Sequence, residues 1–129
     1  DEKNLLNYVD YTIEGMETGL FSYLAHPDLI NFYGDDDVFK KHMSRIVEAS
    51  INLHIPLEVN MLGFQDNRNY PCDPFFSLAS EMGADFILGC DAHSPDKVIQ
   101  PESLPEFMEF LATHHIKIGD NICKLRPIK

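Results

Sequence analysis

The sequence predicts an α/β fold built on a parallel sheet. Two observations carry this. Short apolar runs bounded by turn residues recur about every 30 residues, and one stretch with helical spacing of apolar positions lies between each pair of runs, which is the arrangement of βαβ units. The pattern yields about four parallel strands alternating with helices, whereas a closed parallel barrel needs about seven or eight. Half of a barrel and a small open sheet both satisfy it.

The elements follow in order. Leu5, Leu6, Val9, Ile13 and Met16 fall at helical spacing, and Gly19 is a natural stop, so a helix opens the chain. "LFSYLA", residues 20–25, is short, apolar and aromatic and reads as a strand ending at His26, whose backbone is biased toward extended by Pro27. The acidic run Asp35, Asp36 and Asp37 suits the positive end of a second helix that carries Val38, Phe39, Met43, Ile46, Val47 and Ser50. "IPLEVN" supplies the next strand at residues 56–59, followed by a long polar loop, "MLGFQDNRNYPC". Asp73 and Pro74 make the cap and first turn of a third helix, with Phe75, Leu78, Ala79 and Met82 inward and Gly83 at its end. "DFILGC" is apolar throughout, as a strand buried on both faces would be. Ser103 and Glu106 form a capping box around Pro105 for a fourth helix through Phe107, Phe110 and Leu111, and "IKIG" reads as a last short strand.

Composition narrows the function classes. At 129 residues the chain is expected to be a single domain, residues 1–129. A net charge of -11 argues against nucleic acid or an anionic membrane surface as a partner. Three cysteines at wide spacing, Cys72, Cys90 and Cys123, suggest neither a disulfide framework nor a zinc knuckle, and point to a reducing, cytoplasmic setting. No apolar run approaches the roughly 18 residues of a membrane span.

In parallel α/β folds functional groups gather at the C-terminal ends of the strands. Polar residues stand at three such ends: His26 and Asp28, Glu58 and Asn60, and Asp91 and His93. In "GCDAHSP" the alternation of an extended backbone points Asp91 and His93 the same way, as two ligands of one metal site must point. Alone, that stretch reads first as a capped turn. His26 at an earlier strand end supplies a third donor, and a mixed oxygen and nitrogen set suits Zn, Mn or Fe. Glu58 and Asn60 share one face of their strand and are candidates for the rim. Arg68, in the loop "GFQDNRNYP", is a phosphate-binding candidate or a solvated surface residue. His42, His54, His114 and His115 lie in or at the ends of helices and read as structural, and Cys90 reads as a small buried residue.

Taken together, "YLAHPDL", "IPLEVN", the loop "R-N-YP" and "GADFILGCDAHSP" resemble the polymerase and histidinol phosphatase (PHP) family, specifically its monofunctional histidinol-phosphatase branch, over about residues 21–115. The resemblance implies the C-terminal half of a distorted (β/α)7 TIM-like barrel with a di- or trinuclear metal site at its rim. It implies that His26, Asp91 and His93 hold the metals, that Asn60 and Arg68 face the substrate, and that Arg68 takes the phosphate. It also implies a metal-bound hydroxide, rather than a protein side chain, as the nucleophile that hydrolyses a small phosphorylated substrate, histidinol phosphate in the full-length form. The family's opening His-x-His motif is absent, so the expected partner is a missing N-terminal half of the barrel, or another chain covering the open sheet edges, and the chain alone is expected to hold metal poorly. A phosphotyrosine or nucleotide phosphatase shares the metal ligands, and a non-catalytic α/β binding or assembly module remains the reading from another class.

Overall fold

The computed structural model describes residues 1–66, 70–89 and 104–116. In chain order they form helix α1 (Glu2–Glu17), helix α2 (Asp36–Leu53), strand β1 (Leu57–Asn60), a short helix α3 (Met61–Gln65), helix α4 (Asp73–Met82), strand β2 (Phe86–Gly89) and helix α5 (Pro105–Thr113). β1 and β2 pair in parallel, from Leu57 opposite Phe86 to Asn60 opposite Gly89, with α3 and α4 in the crossover between them.

Helices α1 and α2 form where periodicity placed them, and they pack on each other. Asp1 caps α1 by accepting from the Asn4 N–H at 2.8 Å, and Leu5, Val9 and Met16 turn inward. Asp35 caps α2 through one oxygen that accepts from Asp37 N–H (2.8 Å) and Val38 N–H (3.2 Å), while Asp36 and Asp37 fill the first turn, where the helix dipole favours negative charge. His42 is buried in the seam, its Nε2 3.1 Å from Glu2 Oε1. His54 ends α2 in the left-handed conformation, φ 56°.

The strand expected at residues 20–25 is reduced to a single bridge, Leu24 opposite Leu57. Leu24 N–H donates to the Pro56 carbonyl and Glu58 N–H to the Leu24 carbonyl, both at 2.9 Å, whereas Leu57 N–H points the other way, to Asp85. β1 is therefore central, with the Leu24 segment on one side and β2 on the other. Its alternation sends Leu57 and Val59 into the hydrophobic core and Glu58 and Asn60 to the opposite face.

Three further expectations change. Residues 61–65, read as loop, make one helical turn because the Asn60 side chain caps it, Oδ1 accepting from Gly63 N–H at 2.8 Å. In α4 the N-cap is Cys72 rather than Asp73, and the inward face carries Phe75, Phe76 and Ala79, leaving Leu78 half-buried and Met82 36% exposed. Phe76 wins the inward place because it meets aromatic neighbours on three elements: Phe75 edge-on at 5.2 Å, Phe86 at 5.9 Å and Phe110 at 6.1 Å. α5 begins at Pro105 with Leu104 as N-cap and no side-chain cap bond, so the capping box is not its start signal; Ser103 lies outside the described residues. Phe107 and Leu111 bury α5, and Phe64 of α3 packs edge-on against Phe107 at 5.2 Å.

Of the last expected strand only Ile116 is described, buried and not in a strand; residues 117–119 lie outside the described residues. The described part is thus mixed α/β, with two parallel strands, one bridge and a majority of helix, and within it neither four strands nor a barrel is formed. No described helix is long and apolar enough to cross a membrane.

Candidate functional site at the strand ends

Because the three sheet segments run in parallel, their C-terminal ends lie side by side. The ladder between the first segment and β1 breaks off at His26. In a parallel ladder the His26 N–H would go to the backbone carbonyl of Glu58; it goes instead to the Glu58 side chain, Oε1, at 2.9 Å. His26 then turns into the left-handed region, φ 26°, so its backbone is not the extended one that Pro27 favoured. Its ring lies 5.6 Å from that of Tyr70, which is itself buried.

Glu58 is 6% exposed, and the same Oε1 also accepts from Asn60 Nδ2 at 3.1 Å. Glu58 and Asn60 thus share a face as the alternation required. Asn60 is 2% exposed with both ends of its amide engaged, on Glu58 and on Gly63. Gly89, the last residue of β2, lies against the Glu58 carboxylate: a Cβ there would fall on Oε2, 2.7 Å from Cδ and 3.1 Å from Cγ.

Asp28 is the most buried acid of the cluster, 2% exposed, and accepts from Cys72 N–H at 2.5 Å. Burial pushes its carboxyl up from the usual 3.8 to about 7, against the pull of the Cys72 N–H, and the charge of Glu58 adds to the rise. Burial likewise lifts the Cys72 thiol to about 12, with Asp28 adding to it, which disfavours its thiolate. Tyr8 of α1 reaches over to donate its hydroxyl to the Pro27 carbonyl at 2.6 Å; burial and then Asp28 raise that phenol to about 12. The "HPD" turn is in this way held from three elements. The parts played by Tyr8, Cys72 and Gly89 were not visible in the sequence, since each follows from a contact between distant segments.

The structure therefore brings together His26, Glu58 and Asn60 of the expected site residues. Arg68, Asp91, His93 and Cys90 lie outside the described residues. Among the described residues no three His, Cys, Asp or Glu side chains are placed to hold a metal ion, and of the three expected ligands His26 alone is described. The described rim is not a metal centre by itself; it is a buried, hydrogen-bonded acidic floor that carries His26. His114 and His42 serve structure: His114 closes α5, with Nδ1 2.9 Å from the Phe110 carbonyl and Nε2 3.3 Å from Asp73 Oδ1.

No family model matches the chain. An alignment 99 residues long, covering 70% of this chain, is 32% identical to a probable histidinol-phosphatase of Deinococcus radiodurans. The chain spans 37% of that relative's length. The chain is thus a distant and partial relative of a probable histidinol-phosphatase.

Proposed function

We propose that the protein carrying this chain is a metal-dependent phosphomonoester hydrolase of the histidinol-phosphatase type, acting on histidinol phosphate in the cytoplasm, with this chain as the C-terminal part of a PHP barrel. The observation that carries the reading is the 32% identity over 99 residues to a probable histidinol-phosphatase. The clustering of His26, Glu58 and Asn60 at parallel strand ends supports it, since that is where α/β folds keep their chemistry.

In this reading His26, Asp91 and His93 hold divalent Zn, Mn or Fe, which when bound neutralises phosphate charge and makes hydroxide available near neutral pH. Arg68 clamps the phosphate through its guanidinium. Glu58 and Asn60, buried and engaged with each other, build the floor beneath His26. The N-terminal part of the barrel, on the same natural protein or on another chain, completes the metal site.

Parallel assays of the longest natural protein carrying this chain, on histidinol phosphate and phosphotyrosine with added Zn or Mn, test the proposal. Preferential turnover of histidinol phosphate is expected. Equal or better turnover of phosphotyrosine would move the substrate assignment to another PHP phosphoesterase, and no hydrolysis of either would favour a binding or assembly module.

A further inference from the structure

We infer that Glu58 is the positioning residue of this rim, a buried carboxylate that sets where His26 stands; its bearing on catalysis rests on the function proposed above. Three strand ends converge on this one side chain. It takes the His26 N–H that its own backbone carbonyl would otherwise accept, it takes the Asn60 amide on the same oxygen, and it fills the space that a side chain at position 89 would occupy.

The capture of the His26 N–H has a geometric consequence. A ladder bond to the Glu58 carbonyl would keep residues 24–26 extended; the longer reach to the side-chain oxygen lets His26 turn to φ 26° directly at the rim. The carboxylate is held against drift from two sides, by Asn60 and by the closely approaching Gly89. Asp28 also holds the turn, but through Cys72 and two residues further on, and makes no bond to the His26 amide. A residue needed only to fill the space between β1 and β2 would be better apolar, because a buried charge is costly unless its bonds are used. Here they are used on the one backbone N–H that aims a histidine.

The test compares Glu58→Gln, which keeps an acceptor oxygen, with Glu58→Ala, and uses the core substitution Val59→Ala as a control for general destabilisation. Amide hydrogen exchange followed by NMR reads His26 directly. In Glu58→Ala the His26 amide should exchange at least about tenfold faster relative to its neighbours, and in Glu58→Gln within about threefold of the parent. On histidinol phosphate, kcat of the longest natural protein should fall about a hundredfold in Glu58→Ala, mostly recover in Glu58→Gln and stay within about threefold in Val59→Ala. Should Glu58→Ala not fold, Glu58→Asp, which withdraws the oxygen by one methylene, is expected to lose the His26 protection in its place. Unchanged His26 exchange in Glu58→Ala or Glu58→Asp, or a kcat loss no greater than that of Val59→Ala, would overturn the inference. A parent protein inactive on every phosphomonoester would sink the functional reading alone, because the exchange measurement still decides whether Glu58 holds His26.

Discussion

Replacing Gly89 by Ala offers the sharpest probe of the packing at the strand ends. Its φ is not in the left-handed region, so the backbone tolerates Ala, which should even gain roughly 0.5–1 kcal/mol over Gly in a strand. The added methyl, however, falls on Glu58 Oε2 and lies 2.7 Å from its Cδ, and the carboxylate cannot retreat without loosening its bonds to His26 N–H (2.9 Å) and Asn60 Nδ2 (3.1 Å). Overpacking of this kind costs roughly 1–3 kcal/mol, and a weakened hydrogen bond to a charged group about 1.5–3 more, so after the strand gain a net loss of about 2–5 kcal/mol is expected. In a Glu58→Ala background the three atoms nearest the added methyl, Oε2, Cδ and Cγ of Glu58, are gone, and the same substitution should be neutral or slightly stabilising. The coupling energy of the double-mutant cycle is therefore the clash and the weakened bond together, about 2.5–6 kcal/mol, measured by urea unfolding of the four proteins followed by far-UV circular dichroism. If the two substitutions add to within about 0.5 kcal/mol, the carboxylate does not occupy the space above Gly89 and the account of the rim is wrong.

Other expectations follow from the same contacts. With its thiol raised to about 12, Cys72 has at pH 8 roughly a thousandfold smaller thiolate fraction than an ordinary cysteine, so iodoacetamide should modify it far more slowly than an unfolded peptide; peptide mapping by mass spectrometry checks this. Because the folded protein binds that proton more tightly than the unfolded one, this contribution to stability is fully present below the ordinary thiol value of 9 and fades as pH climbs toward 12; urea midpoints that rise between pH 9 and 11 in the parent relative to Cys72→Ala would contradict the sign. Asp35→Ala removes the acceptor of two N–H groups at the start of α2 and should cost about 1 kcal/mol in the urea titration, with Asp35→Asn close to the parent. Phe76→Ala should cost roughly 3–5 kcal/mol and Met82→Ala less than about 0.5, the reverse of what the inward face expected for α4 would give.

The comparison of Phe76 with Met82 shows where a sequence is readable and where it is not. α1 was legible from its apolar spacing, and α2 from its spacing and its acidic start, because these are local properties fixed within a few residues along the chain; the Asp1 cap of α1 was missed. β1 and β2 were legible for the same reason, as short apolar runs between turn residues. Phe75 and Phe76 are adjacent and equally apolar, so which of them faces inward, or that both do, depends on where Phe86 and Phe110 arrive from distant parts of the chain. The short helix α3 had a local signal, an asparagine followed by apolar residues, but the same asparagine also fitted a rim role, and its capping of Gly63 was hidden by that competition. The strand at residues 20–25 was right in its apolar character but forms only the Leu24 bridge, and on its C-terminal side the bond that would have prolonged the ladder goes to a side chain from β1. At the site, alternation was enough to pair Glu58 with Asn60, whereas Asp28 appeared only as a polar residue at a strand end, its burial beside Cys72 being a tertiary fact.

The Leu24 segment is joined to the sheet by two backbone bonds, and beyond them the turn that follows is held by the carboxylates of Glu58 and Asp28 and the hydroxyl of Tyr8. A ladder is written by the backbone and is nearly indifferent to point mutation, but these three anchors are written one codon at a time. A single substitution at position 8, 28 or 58 is accordingly expected to disturb the rim before it disturbs the backbone ladder of β1 and β2. A scaffold arranged in this way lets selection vary the placement of its chemistry without first dismantling the sheet that supports it.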